Sequence, residues 1–455
     1  MAKDTIVQYS TTAGSNTDVQ SVNIAEACPP SGINNAIREI MVDLAELSSG
    51  AQSLANLKTT ATTQIAAGAV GAPSLSFSAD LNTGIWQSAA DSLSVSAGGV
   101  EKWRFGSNPL PGRNLFINGA MNVAQRSASV ADVGGSSGYV VHDRIIFSNS
   151  GGTGRYTVSQ TADGPVGFAN CIKVDCTTAD SSLDAAVLNR IEARLEAQNF
   201  MHLAYGNAAA KTLTLSFYVK CTSTGTLSVL LQQQDGGRSY HQNYTIDATD
   251  TWERKTLVFT GDASGGMNDD NGIGFSVYWT LAAGSDFKGG TSGSWATHGN
   301  TLYGTGDDLN VLGNTATNWF ITGIQLEVGG VATDFEHEDF GTTLAKCLRY
   351  YERITGDVSS QIVGVGVCRS TTNCSQIPFH YAVKRAVPTL TVNSVSAYDI
   401  ISSSAGGVAT SNLTAQQLST RSVAFAATVA SGLTDGRPGA LDMDADEFFE
   451  ISAEL

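Results

Sequence analysis

The residues best suited to chemistry in this chain gather in one glycine-rich stretch, residues 286–308. There Trp295, His298, Tyr303, Asp307 and Asp308 stand among flexible Gly and Ser. An indole or phenol face stacks on the apolar face of a sugar ring, and a carboxylate accepts hydrogen bonds from its hydroxyls. These five residues are therefore the candidate contacts for a surface glycan. The plainer reading is that Trp295 only pins a long loop to the domain beneath it. Residues 238–244, with Arg238, Tyr240, His241 and Tyr244, form a second candidate. Trp252, Trp279 and Trp319 lie within strand-like alternations and read as core.

Signatures of catalysis are missing. The chain has no H-E-x-x-H pair and no Walker loop, and Gly151, Gly152 and Gly154 read as turn glycines. Two acidic runs approach a calcium loop and fail it. Met267 holds the first ligand position of one, and Glu447 replaces the required Gly of the other, leaving room only for an irregular cation site. A glycosidase needs two carboxylates roughly 5–9.5 Å apart, which sequence alone does not place, and the repeating coils of a β-helix spike are absent. The expectation is a non-enzyme with no catalytic residues, no metal and no cofactor. The seven cysteines are an odd number without zinc spacing, and read as buried, reduced thiols.

The elements that must position the loop are mostly strands. Charged residues are only 15% of the 455, against about 25% in an average domain, while Gly reaches 48. Leu213, Leu215, Phe217 and Val219 alternate with polar neighbours, as do Ile273, Phe275, Val277 and Trp279, the period of a half-buried antiparallel sheet. Residues 251–259 read as a further strand, and 183–200 fit either a strand or a helix. In residues 318–328, Phe320, Ile324 and Leu326 point to one face, and Trp319, Ile321, Gln325 and Glu327 to the other. A short helix is predicted near 342–353 from Leu344, Cys347, Leu348 and Tyr351. Beyond it, strands are expected at 362–367, 377–383, 390–392, 423–425 and 447–451.

Near the N-terminus a helix starts with Ser31 as its predicted N-cap. Ile33, Ile37, Ile40, Leu44, Leu47, Ala51 and Leu54 follow at alternating spacings of four and three, a heptad seam whose successive Ile favour three strands. One amphipathic helix lying on its own domain fits the same pattern. Residues 72–105 read as a three-stranded meander, Leu75/Phe77, Leu93/Val95 and Trp103/Phe105, with turns at 82–84 and 98–99. So small a meander cannot bury its apolar face alone, whereas three copies around an axis can. Residues 108–112 read as a linker.

Several of these stretches resemble the tail-fibre and receptor-binding proteins of bacteriophages. Gln325-Leu-Glu, then Thr333 with Phe335-Glu336, then Cys347 with Arg349-Tyr-Tyr351 match three ordered motifs of their β-sandwich and connector. Residues 73–104 resemble a fibre repeat, with Trp86 where Tyr or Phe is usual. Asn114-Leu with Asn118-Gly119, Arg190-Ile-Glu192, Thr251–Phe259 and Ser452-Ala-Glu-Leu455 fit other family motifs, and Lys384 stands where the family's tip domains carry Met. The resemblance implies a mainly β architecture: a tail-attachment segment with a helix over 1–60, a β repeat and linker over 61–112, a jelly-roll-like sandwich over 113–340, and a connector helix with a β-rich tip over 341–455. It implies a homotrimer in the virion tail, joined to tail or baseplate proteins by its N-terminus and attaching to a bacterial surface glycan or outer-membrane receptor. A fibre adaptor without receptor binding and a glycan depolymerase are the alternatives.

The charge agrees with that class. At −16 the chain lacks the basic face that phosphate neutralisation needs, so nucleic acid is not an expected partner. A trimer carries three times that charge and is repelled by an anionic cell surface, leaving adhesion to short-range contacts. No apolar run approaches 18 residues and the N-terminus lacks an apolar leader core. Synthesis in a host cytoplasm without membrane insertion is expected.

Overall fold

The computed structural model describes residues 10, 12, 15–25, 27–49, 65–90, 92–105, 112–402 and 406–455. The chain forms two compact units, Met1–Arg104 and Phe105–Leu455. The predicted linker at 108–112 lies, apart from Gly112, outside the described residues.

In the first unit, Pro30–Ser49 is helical. Pro30 itself opens the helix, because its fixed φ suits the first turn and its missing N–H costs nothing there. Ser31 is thus inside the helix and is not its cap. Ala36 and Asp43 form the buried face, and Gln20 Nε2 donates to Asp43 Oδ1 at 2.7 Å. Ile33, Ile37 and Leu44 of the expected seam are exposed. The side chain of Leu47 and all of Ala51 and Leu54 lie outside the described residues.

The meander has four strands: Leu75–Phe77, Asp80–Ala89, Ser92–Ala97 and Val100–Phe105. Residues 82–84 lie within the second strand, where a turn was expected, and Gly84 pairs with both Ser76 and Ser96. Gly98 and Gly99, at φ 62° and 74°, do make the turn into the last strand. The burial in this sheet is inverted. Ser94 and Ser96 are fully buried, and Ser88 and Ser94 share a hydrogen bond of 2.6 Å. Leu75, Phe77, Leu81, Leu93, Val100, Trp103 and Phe105 are exposed, Phe77 and Leu81 at 68%.

The second unit opens with a sandwich of two antiparallel sheets. One has six strands in the order Glu253–Phe259, Leu213–Cys221, Asn318–Val328, Cys171–Thr178, Arg155–Thr161 and Ser129–Val133. The other has seven: Trp295–Thr297, Arg238–Ile246, Gly225–Gln233, Ile273–Ala283, Leu188–Glu196, Ile146–Ser150 and Gly138–Tyr139. Their inner faces share one core containing Leu215, Phe217, Val229, Phe275, Trp279, Trp319 and Leu326. Residues 188–196, open to either reading by periodicity, are strand because they bridge two neighbouring strands of that sheet.

Asn318–Val328 departs from simple alternation. Its register against Leu213–Cys221 shifts between Ser216 and Tyr218, opposite Gly323 at φ 61°. The extra residue is a β-bulge, and a bulge exchanges the two faces of a strand. Trp319 and Ile321 enter the core before it, Ile324 and Leu326 after it. Phe320, expected beside Ile324, lies on the opposite face against Trp252, with ring centroids 6.2 Å apart.

The helix Phe340–Leu348 follows, shorter than expected. Asp339 caps it, accepting from Thr342 N at 2.9 Å, and Tyr351 begins a strand. The remaining chain forms a closed six-stranded barrel and a three-stranded sheet, Tyr351–Thr355, Phe448–Ser452 and Thr389–Val392. Strands Gly407–Gln416, Pro438–Met443 and Tyr398–Ile401 of the barrel have no counterpart among the strands expected from sequence. The first buries only Thr410 and Leu413, so it shows no period of two. The structure is mainly β, with two α-helices among the described residues.

Candidate functional site

The predicted loop crosses the outer face of the seven-stranded sheet, and the structure divides its five residues among four places. Trp295 starts the edge strand and pairs with Tyr240. Its ring meets Tyr205 and Tyr240 edge-on at 5.7 and 5.6 Å, and Nε1 donates to Thr260 O at 2.5 Å. Half-buried, it pins the loop to the sandwich core.

His298 and Tyr303 come together. Their rings are 5.6 Å apart, and Ser239 Oγ and His298 Nδ1 share a 2.7 Å hydrogen bond. Tyr303 packs edge-on to Tyr278 at 5.3 Å, and the Arg190 guanidinium lies over both rings, at 4.2 and 4.8 Å. Arg190 Nε is buried without a hydrogen-bond partner among the described residues. Burial, aided by the nearby Arg190 charge, lowers the His298 pKa and keeps its ring neutral.

Asp307 and Asp308 serve the backbone and a closed polar cluster. Asp308 accepts from Thr226 N. Asp307 meets Ser228 Oγ, which also lies 2.8 Å from His241 Nε2 and accepts from Asn243 Nδ2 at 3.2 Å. Burial raises the Asp307 carboxyl to about 7, against the opposing pull of Ser228 and Lys288. Burial also lowers His241 to about 4. Serine, histidine and aspartate are the types of a hydrolase triad, but here the hydroxyl stands between imidazole and carboxyl. The histidine cannot take the serine proton while being oriented by the acid, and the cluster is shut from solvent.

Next to His298 and Tyr303 the sheet's outer face is polar. Tyr278 Oη donates to Gln232 Oε1 at 3.1 Å, Gln234 Nε2 donates to Ser276 Oγ at 3.1 Å, and Arg194 pairs with Glu192 at 2.5 Å. Glu192, Gln232, Ser276, Tyr278 and Tyr303 are buried, so of this set only Arg190, Arg194 and Gln234 reach the surface in part, with guanidinium and amide donors that suit a hydroxyl-rich ligand. Of these, Arg190 and Glu192 were noted only as a motif. The usable signal was polar alternation at 190, 192 and 194, in step with Ser276, Tyr278 and Thr280.

The motif residues have structural work. Glu327 accepts from Thr333 N at 2.8 Å and Oγ1 at 2.7 Å, and Gln325 Oε1 accepts from Glu336 N at 2.8 Å. The Glu336 carboxylate accepts from Gly112 N and Asn114 N, at 2.6 and 2.7 Å, while Asn114 Nδ2 donates to Ile324 O at 3.0 Å. Gly119 lies so close that a Cβ there would be 2.0 Å from Ile324 O. Together these bonds clamp the sandwich's first segment to its last strand.

A second staple joins the segment after the helix and the C-terminal residues to the sandwich. Arg349 makes a paired contact with Glu196, and Tyr350 Oη donates to the same carboxylate at 2.7 Å. Burial pushes Glu196 up, but these bonds outweigh it and hold the carboxyl below its ordinary value. Arg126 and Arg144 stack on Tyr351 and Tyr350 and both pair with Glu454. Lys384, fully buried, donates to Leu348 O and to Glu352, each at 2.6 Å. Burial lowers its pKa, against the pull of Glu352.

Among the described residues, no group of three or more His, Cys, Asp or Glu is placed to hold a metal ion, and no helix is long and apolar enough to cross a membrane. All seven cysteines are free thiols, six of them buried. Cys368 and Cys374 are cross-strand partners.

No family model matches the chain. No curated protein matches it either. Solved structures similar to it include the enzymatically active domain of tailspike protein 4 of bacteriophage CBA120, at 11% identity over 48% of this chain and 22% of that one, with a TM-score of 0.26. A putative sugar-binding protein from Bacteroides thetaiotaomicron aligns at 13% identity over 48% of this chain and all of its own, with a TM-score of 0.27. The xylan-binding domain of Paenibacillus barcinonensis Xyn10C aligns at 10% over 47% and 99%, with a TM-score of 0.24. Likeness at this level carries no functional argument, and the reading below stands on the chain's own residues.

Proposed function

We propose that the chain is a trimeric receptor-binding fibre of a tailed bacteriophage, which binds a glycan of the bacterial surface without cleaving it. The observation that carries this reading is the inverted burial of the first unit. A sheet that buries serines and exposes Phe77, Leu81 and Trp103 needs cover, and two further copies of itself supply it. The exposed Ile33, Ile37 and Leu44 of the helix make the same demand. The resemblance of residues 73–104 to a fibre repeat points to the same assembly. On this reading the N-terminal 60 residues dock on tail or baseplate proteins, and the second unit meets the host. The half-buried Arg190, Arg194 and Gln234 on the outer face of the seven-stranded sheet support glycan contact. Three weak sites per fibre, and several fibres per particle, raise the local concentration enough for firm attachment. The protein is made in the host cytoplasm and resides in the virion tail.

The mass of the native particle tests the assembly. A trimer is expected, and the double variant Phe77→Ser, Trp103→Ser should shift it toward single chains. A monomeric parent protein would overturn the fibre reading. Incubation with lipopolysaccharide or capsule should leave the glycan intact while the protein adsorbs to host cells. Released oligosaccharide would make it a depolymerase, and failure to adsorb across a wide strain panel would make it an adaptor.

A further inference from the structure

A cleft of about 430 Å³ opens between the sandwich and the Phe340–Leu348 helix, lined by Leu115, Ile117, Gln198, Asn199, Lys346 and Arg349. Its size falls within the roughly 300–1,000 Å³ of small-molecule sites. The half-buried Leu115 and Ile117 offer an apolar surface for the C–H face of a ring. The polar groups around them are unequally committed. Glu196 is saturated, accepting from Arg349, Tyr350 and Gln198. Glu338 accepts from Lys346 and Thr343. The groups left over are chiefly donors. Arg349 uses Nε and Nη2 on Glu196, which leaves Nη1, and Lys346 gives Glu338 one of its three protons. The exposed Asn199 side chain makes no hydrogen bond among the described residues, and Lys346 and Arg349 are each 38% exposed.

A cleft whose carboxylates are spent and whose free charged groups are cationic donors calls for a ligand that brings acceptors. We propose that it binds the carboxylate-bearing ring of an acidic sugar, a hexuronate, with Lys346, Arg349 Nη1 and the Asn199 amide on its oxygens and Leu115 and Ile117 under its ring. The choice of a sugar rests on the glycan-binding function proposed above, and the choice of an acidic one rests on the donors. In a chain of charge −16, this pocket would select the anionic unit of a glycan at short range while the surface as a whole repels it.

The test is saturation-transfer NMR on the full chain at low salt, with D-glucuronate as probe and D-glucose as control. Transfer to glucuronate alone is expected. Lys346→Glu should weaken it roughly tenfold or more, since a hydrogen bond to a charged group is lost and a repulsion added. Asn199→Trp, which fills the mouth and leaves the Glu196 staple intact, should abolish it. Equal transfer to both sugars, transfer to neither, or unchanged binding in a folded Lys346→Glu or Asn199→Trp chain would overturn the proposal. Glucuronate binding in a protein that adsorbs to no cells would instead retain the cleft and remove the fibre function.

Discussion

Replacing Gly323 by Ala should destabilise the sandwich through two separable effects. The residue sits at φ 61°, where a Cβ costs about 1–2 kcal/mol. A Cβ there would also lie 2.8 Å from both Phe168 Cζ and Tyr218 Cδ2, closer than carbon atoms approach. The two rings stack on the bulge with centroids 5.3 Å apart, and Phe168 is held from its other side by Phe335 at 4.9 Å. Displacing such a packed ring costs about 1–3 kcal/mol. Together these give about 2–5 kcal/mol, and at about 2–4 °C per kcal/mol for a domain of this size the melting midpoint should fall by at least about 4 °C. Thermal unfolding followed by near-UV circular dichroism reads the shift. Removing one ring separates its part: in a Phe168→Ala background the same glycine substitution should cost less than in the parent, keeping its backbone share and the contact with Tyr218. If Gly323→Ala melts with the parent, or costs as much with Phe168 absent, the bulge does not hold the aromatic cluster as described.

Two further outcomes follow from buried charge. The Asp307 carboxyl, raised to about 7 by burial, binds a proton in the folded state that the unfolded chain releases near pH 4. Its contribution to stability therefore declines as pH rises from about 4 to 7 and is level above that. His241, lowered to about 4, slopes the opposite way, losing stability as pH falls from about 6.5 to 4. Asp307→Asn should thus raise the melting midpoint at pH 8 relative to pH 4; a parallel offset at both would show that the carboxyl is ionised in the fold. Glu454→Ala leaves Arg144 unpaired, its side chain 3% exposed, and should cost about 3–5 kcal/mol. Denaturant unfolding measures it, and a loss below about 1 kcal/mol would show that the staple between the C-terminal residues and the sandwich is solvated.

Much of the architecture was legible because a half-buried strand writes its burial into its own residues. Leu213–Cys221 and Ile273–Ala283 alternate clearly, and both line the core. Gly407–Gln416 was illegible because a strand with two buried side chains leaves no period to read. The site was harder. Trp295, His298, Tyr303, Asp307 and Asp308 are close in sequence, yet they face a core edge, an aromatic pair, a closed polar cluster and a backbone amide. Loop composition reports flexibility and chemical type but not the direction in which a side chain turns.

Sequence by itself determined the class of structure: a glycine-rich, sparsely charged, mainly β chain, with surplus apolar side chains in its first hundred residues. Those properties are local sums and periods, so no partner is needed to read them. Tertiary structure alone decided which face Phe320 takes, since a bulge becomes visible only against the neighbouring strand. It alone showed that Glu327, Glu336 and Glu454 close hydrogen-bonded staples across the chain. It also placed Asn199 and Lys346 on one cleft, 147 positions apart in sequence, because a hydrogen bond or a pocket depends on distance in space and sequence carries only order along the chain.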